Sequence, residues 1–257
     1  MGGENFFLFI LFFLVAAFYS SVGFGGGSSY LAILSLFLTE FYEIRTIALL
    51  CNVLVVSSNI LLFRKENILD LKSASGFVVL SIPLAFLGAN FSLKESTFFI
   101  LLGSSLVLAA IAMFIQIFIN KQQIYLKRGK NSKLVNLISG GMAGLLSGTV
   151  GIGGGIFLSP YLNLTKWGTS KQIAAISSFF ILVNSLSGIT GLVISNQFSL
   201  DLIFVLPLLI AVFLGGQLGL RISLKSLSID KVKSLTALLV LYVGIRILLM
   251  NIWGVKI

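Results

Sequence analysis

From Asn5 to Met250 the chain is a succession of eight apolar runs, and its charged residues fall between those runs or near their ends. The runs cover residues 5–38, 44–63, 73–91, 96–119, 133–164, 171–194, 200–220 and 231–250. Six of them have the ~20-residue length of one helical crossing of a hydrocarbon layer ~30 Å thick. A soluble domain needs about 25% charged residues to cover its surface, and this chain has 10% against 57% hydrophobic. Its main solvent is therefore lipid, and the expected fold is an all-α polytopic membrane protein.

The runs form two related sets of four. Val22-Gly23-Phe24-Gly25-Gly26-Gly27 in the first run matches Val150-Gly151-Ile152-Gly153-Gly154-Gly155 in the fifth, with five of six positions identical. Phe86-Leu87-Gly88-Ala89-Asn90 in turn matches Phe213-Leu214-Gly215-Gly216-Gln217 at nearly the same offset. Duplication of this length is common in secondary transporters. It predicts two repeats, 1–125 and 126–257.

The first run is too long for one straight crossing: residues 5–38 would make a helix of ~50 Å at ~1.5 Å per residue. It either crosses with an unwound middle or enters and returns. Lys and Arg collect on the cytoplasmic side of a membrane, and they arbitrate. Single crossings by the two glycine-broken runs would divide the 18 basic residues 10 to 8. Re-entrant hairpins put 14 on one face, leaving Arg45, Lys94, Arg246 and Lys256 on the other. The expectation is two re-entrant hairpins plus three crossings per repeat. An odd number of crossings inverts one repeat relative to the other. The chain would then lie in a cell (inner) membrane with both termini outside, its glycine tips meeting near the midplane.

Three consecutive glycines exceed what helix packing requires. Packing is the simpler account of isolated ones such as Gly103, Gly191 and Gly244, since small residues let membrane helices approach. Each glycine costs ~1 kcal/mol relative to alanine inside a helix, and irregular backbone survives at membrane depth only inside protein or along a polar cavity. A new short helix should start near Gly27 and another near Gly155. Their first N–H groups lack intrahelical partners, and the helix dipole favours negative charge there. Such an end holds an anion without Lys or Arg. The candidate binding residues are therefore Gly25, Gly26, Gly27 and Ser28, with Gly153, Gly154 and Gly155. The second run adds Asn52 and Asn59, and the sixth adds Ser178 and Asn184, as neutral donors facing the interior. Hydrogen bonding between helices is the competing account of these amides and hydroxyls.

The chain has no histidine, a single cysteine, Cys51, and eight scattered acidic residues. That leaves no material for a metal cluster or a histidine-dependent enzyme, so no catalytic residue, metal or cofactor is expected. The net charge of +10 sits in short loops rather than on an aromatic-laced soluble face, which argues against nucleic acid. Expected partners are a small anionic substrate and the bilayer, with a homodimer left open.

GFGGGSSYLAIL and GIGGGIFLSPYL, each near the start of a four-run half, resemble the TauE/SafE family of sulfite exporter-like permeases. The resemblance extends to length, duplication, the basic central loop and Gly244-Ile245-Arg246 near the end. The second copy carries the motif's proline, Pro160, where the first has Ala32. The resemblance implies transport of a small sulfur-containing anion such as sulfite, thiosulfate or sulfoacetate. The residues alone imply only a small anion. An anion channel of the same architecture, or a permease for another carboxylate or oxyanion, is the alternative.

Overall fold

A computed structural model describes residues 3–38, 40–91, 93–119, 132–165, 167–224 and 229–253. Among these the chain is all helical: α1 (Gly3–Ser21), α2 (Gly27–Leu34), α3 (Phe41–Lys65), α4 (Leu71–Asn90), α5 (Glu95–Ile119), α6 (Lys133–Val150), α7 (Gly155–Leu164), α8 (Ser170–Ile194), α9 (Leu202–Leu224) and α10 (Ile229–Trp253). Both breaks fall where the glycine runs place them. Nearly all of the basic central loop, with Lys166, Lys225 and Lys256, lies outside the described residues.

Among the described residues five helices are long and apolar enough to cross a membrane: α3, α4, α5, α8 and α9. The sixth expected crossing, α10, has an apolar stretch at Val240–Ile252. Large apolar side chains such as Leu61, Val79, Leu108, Met142 and Ile203 face outward, while Ser28, Asn52, Asn59, Ser178 and Asn184 are buried. Polar inside and apolar outside suits a lipid solvent.

Matching local signals set the helix ends. Asn67 and Asn196 both take the left-handed conformation at φ 55°, which asparagine tolerates better than most residues. Each lets the chain fold back, with Ile68 N–H donating to Phe63 O and Gln197 N–H to Leu192 O, both at 2.9 Å. These are the closing bonds that end α3 and α8. Asp70 then caps α4, accepting from Lys72 N and Ser73 N. Thr169 and Gln172 form a reciprocal capping box at the start of α8.

The ten helices pack so that each contact has a counterpart when the two halves are exchanged. α4 packs on α6 as α9 packs on α1, and α4 on α8 as α9 on α3; α5 meets α10 and α3 meets α8. Glycines permit the closest of these. A β-carbon on Gly140, Gly144 or Gly148 would run into the backbone of Phe77, Ser81 or Ala85 on α4, and one on Gly215 or Gly219 into Phe13 or Ala17 on α1. Gly103 and Gly244 likewise face each other across α5 and α10, as packing predicts.

These contacts also fix direction. Gly140, Gly144 and Gly148 meet Phe77, Ser81 and Ala85 in the same order, so α6 runs parallel to α4. α1 is parallel to α9 by the same test. Asp201 N–H donates to Glu43 at the starts of α9 and α3, and Gln217 donates to Ser58 further along, so α9 and α3 are parallel. α8 is parallel to α4, since Ser187 donates to Ile82 O and Gly191 sits against Phe86 and Ala89. α3 and α8 are antiparallel: Leu49 faces Gly188, whereas Phe63 shares a cavity with Ile173.

Overpacking costs ~1–3 kcal/mol or more, so Gly148→Val should lower the thermal unfolding midpoint of the detergent-purified protein. Gly76→Ala is the control, because a β-carbon there meets only Asn136 Cβ at 3.9 Å. It should leave the midpoint unchanged or raise it. Equal midpoints for both variants would show that the α4–α6 contact does not need its glycine.

Candidate anion site at the two glycine breaks

Each break ends on a glycine in the left-handed conformation that caps the next helix: Gly26 at φ 89° before α2 and Gly154 at φ 78° before α7. A side chain is strained there, which is why the runs are glycine. A β-carbon on Gly27 would also lie 2.7 Å from the Ile152 carbonyl oxygen. The two tips therefore touch, and their contact needs bare backbone.

Asn52 joins them. Its Oδ1 accepts from Gly27 N–H at 2.9 Å, and its Nδ2 donates to Ile152 O at 2.9 Å. One fully buried amide thus satisfies a free donor of one break and a free acceptor of the other. The sequence groups Asn52 with the substrate donors; the structure gives its amide this clamping task.

The other predicted residues divide. Gly25, Gly26, Gly27 and Ser28 line one narrow cavity, together with Tyr19, Phe24, Ile152, Ile156 and Ile181. Gly153, Gly154 and Gly155 lie behind it, packed on Asn52, Phe180 and Ile181. Ser178 donates to Gly23 O at 2.6 Å, tying α8 to the first break. Asn59 accepts from Ser20 at 2.8 Å, and Asn184 donates to Phe180 O of its own helix at 2.8 Å. Asn59 Nδ2 and Asn184 Oδ1 remain buried without partners.

Free N–H groups occur where the helix starts predict them. Ser29 and Tyr30 N–H turn back to Gly26 O, and Phe157 and Leu158 N–H turn back to Gly154 O. The N–H groups of Ser28, Gly155 and Ile156 find no acceptor among the described residues. Tyr19 Oη sits 2.8 Å from Ser29 Oγ and 3.4 Å from Ser28 Oγ, and Tyr19 and Ser28 both line the cavity. The cavity is thus polar on its α2 side and apolar on its α7 side, where Ile156 stands at the place of Ser28.

Sequence reasoning missed Tyr19, Tyr30 and Arg45. Tyr30 packs its ring under Gly26 and stacks on Phe12 at 4.8 Å. Arg45, counted with the basic residues of the sparser face, is instead fully buried inside α3. It packs on Gly151, whose β-carbon would lie 3.3 Å from Arg45 Cβ. Arginine near the end of an apolar run reads as interfacial. Only the three residues that α3 adds before the apolar run, and the packing of Arg45 on the second break, carry it inward. Among the described residues no three His, Cys, Asp or Glu side chains gather to hold a metal.

Asn52→Ala would strand the Gly27 N–H and the Ile152 carbonyl, each a buried polar group costing ~1–3 kcal/mol when unpaired. A clearly lowered unfolding midpoint is expected in detergent. A midpoint equal to that of the unaltered protein would remove the clamp.

A family model described as "Sulfite exporter TauE/SafE" matches residues 8–247. A protein of Sinorhizobium fredii (strain NBRC 101917 / NGR234), described as "Probable membrane transporter protein y4hK", is 31% identical over 242 residues, covering 94% of this chain and 97% of its own length. No solved structure matches. These matches imply a small substrate and a lipid bilayer and give no support to a homodimer. Together with the apolar helices, they identify a membrane transporter: the chain belongs to the TauE/SafE sulfite exporter family.

Proposed function

We propose that this chain is a permease that exports a small sulfur-containing anion such as sulfite, thiosulfate or an organosulfonate like sulfoacetate. The anion sits where the two glycine breaks meet. The observation that carries this reading is the cavity at the start of α2, where the Ser28 N–H, the Ser28 hydroxyl and the Tyr19 hydroxyl converge without any cationic side chain. Oxyanions are held by such donors at helix starts. Gly153, Gly154 and Gly155 set the path of the second tip, while Asn59 and Ser178 seat the first and Asn184 lines the interior beside them.

The helix directions support the inverted, re-entrant architecture. α1 and α3 are both parallel to α9, so the first hairpin begins and ends on one face. α6 and α8 are both parallel to α4, so the second does likewise. α3 and α8 oppose each other, which supports reading 1–125 and 126–257 as inverted repeats. On this reading the Lys- and Arg-rich face is cytoplasmic, the membrane is the cell (inner) membrane, and both termini lie outside.

No histidine exists in the chain, and its acidic residues sit at helix ends or between helices, so no side-chain proton relay is built in. An anion leaving a cell that is negative inside gains about 2.3 kcal/mol per charge per 100 mV, enough for export without a coupling ion. Efflux of sulfite from loaded proteoliposomes should therefore follow the imposed potential and survive collapse of the pH gradient. Strict dependence on a proton gradient with no response to potential would sink the uniport. Single-channel currents, in place of saturable flux, would favour the channel reading.

Binding is tested separately by thermal shift with sulfite, thiosulfate, sulfoacetate and acetate. A ligand at 100 times its Kd stabilises by about 2.7 kcal/mol, read as a raised midpoint. Gly26→Leu and Gly154→Leu should abolish the shift, and Ser28→Ala, which leaves the backbone intact, should weaken it. Equal shifts in the unaltered protein and all three variants would place the anion elsewhere.

A further inference from the structure

A second cavity lies beside the first break, lined by Ser21, Val22, Phe24, Ser159, Lys171 and Ala174, among others. It lies between the end of α3 and the start of α8, on the face that carries Arg64, Lys65 and Lys72. Phe24 lines both this cavity and the glycine cavity, so the two adjoin. Lys171 is exposed at its edge. This has the form of an anion vestibule leading from the basic face to the glycine tips.

Exchange of the halves places a matching location on the opposite face. Gly23 rests on Ala174, and its counterpart Gly151 rests on Arg45. Val22, at the vestibule wall, corresponds to Val150. The chemistry of the two places differs sharply. Ala174 is small and partly exposed, whereas Arg45 is the largest fully buried side chain among the described residues. Its guanidinium fills the counterpart position, donating from Nη2 to Gly148 O at 2.8 Å and to Ala89 O at 3.4 Å. Those carbonyls lie in the last turns of α6 and α4, where a cation is favoured.

Two guanidinium nitrogens are left over. Nε and Nη1 are buried without a hydrogen-bond partner. No carboxylate pairs with Arg45 among the described residues, and the Phe98 ring lies 5.9 Å from its guanidinium carbon. A buried cation with unused donors is costly. Two helix ends explain Nη2, and nothing in the resting chain explains Nε and Nη1. The arrangement suits a fork that waits for an oxyanion, since guanidinium binds two oxygens at once.

We propose that Arg45 both closes the face opposite the basic vestibule and supplies the next ligand of the transported oxyanion. Nε and Nη1 take the anion as it leaves the glycine tips, and the guanidinium swings off the α4 and α6 carbonyls to open the exit. The ligand role rests on the transport reading above; the closing role stands without it.

The experiment labels introduced cysteines in purified protein in liposomes, on a Cys51→Ser background, with a membrane-impermeant thiol reagent. Val22→Cys, on the vestibule wall, should react with or without Arg45. Val150→Cys should be protected in the presence of Arg45 and react at least about tenfold faster in Arg45→Ala, the scale of losing one charge-assisted contact. Arg45→Gln should cut saturable sulfite flux at least about tenfold, with partial rescue by Arg45→Lys. Protection of Val150→Cys that persists in Arg45→Ala overturns the closing role. Sulfite flux in Arg45→Gln equal to that of the unaltered protein overturns the ligand role. If Arg45→Ala fails to fold, Arg45→Lys and Arg45→Gln carry both readouts. If the unaltered protein moves neither sulfite nor thiosulfate, the transport reading fails, while the labelling contrast still decides the closure.

Discussion

Every backbone N–H and C=O at membrane depth must find a partner within the protein, and a chain that interrupts its helices twice has to provide those partners itself. Much of the interior follows from that demand. Asn52 takes one group from each break, Ser178 takes the Gly23 carbonyl, and Arg45 takes the last carbonyls of two helices. The few N–H groups left over at the starts of α2 and α7 are then conspicuous. They are backbone donors that the fold has declined to use, and they lie at the two glycine tips.

The repeats share a framework and differ in what they hang on it. The glycine caps, the asparagine helix stops and the helix pairings recur in both halves. The polar chemistry does not. Ser28 and Asn52 belong to the first half, and the corresponding places in the second hold Ile156 and Ile181. Arg45 likewise stands where the second half has Ala174. The two halves thus share helix pairings but differ in side-chain chemistry where they meet: the first places a serine and an amide there, and the second places isoleucines.

The helices themselves were legible in the sequence to within a few residues, because apolar length and glycine breaks act locally. Helix 41–65 and helix 170–194 follow directly from their runs, and the stops at Asn67 and Asn196 need only neighbouring residues. The two breaks that frame the candidate site were legible in outline, since three glycines in a row leave few alternatives in lipid. What escaped depends on contacts between distant segments. Asn52 reads as a polar lining residue until Ile152, a hundred residues away, is placed against it. Arg45 reads as an interfacial charge until Gly148 and Ala89 are brought to its guanidinium. Tyr19 and Tyr30 carry no sequence signal apart from their apolar neighbours, because tyrosine is at home in any membrane helix.

The crossed pairing of the halves has a consequence for biosynthesis. α1 leaves the ribosome well before its packing partner α9; Ser20 and the Gly216 carbonyl it meets are 196 residues apart. At about 5–20 residues per second, α1 must wait on the order of ten seconds or more for the small-residue face it will occupy. Its composition suits that delay. Phe6, Phe7, Phe9, Phe12, Phe13 and Phe18 make it apolar on every side, so it can dwell in lipid as an unaccompanied segment until α9 arrives to pack against one of its faces.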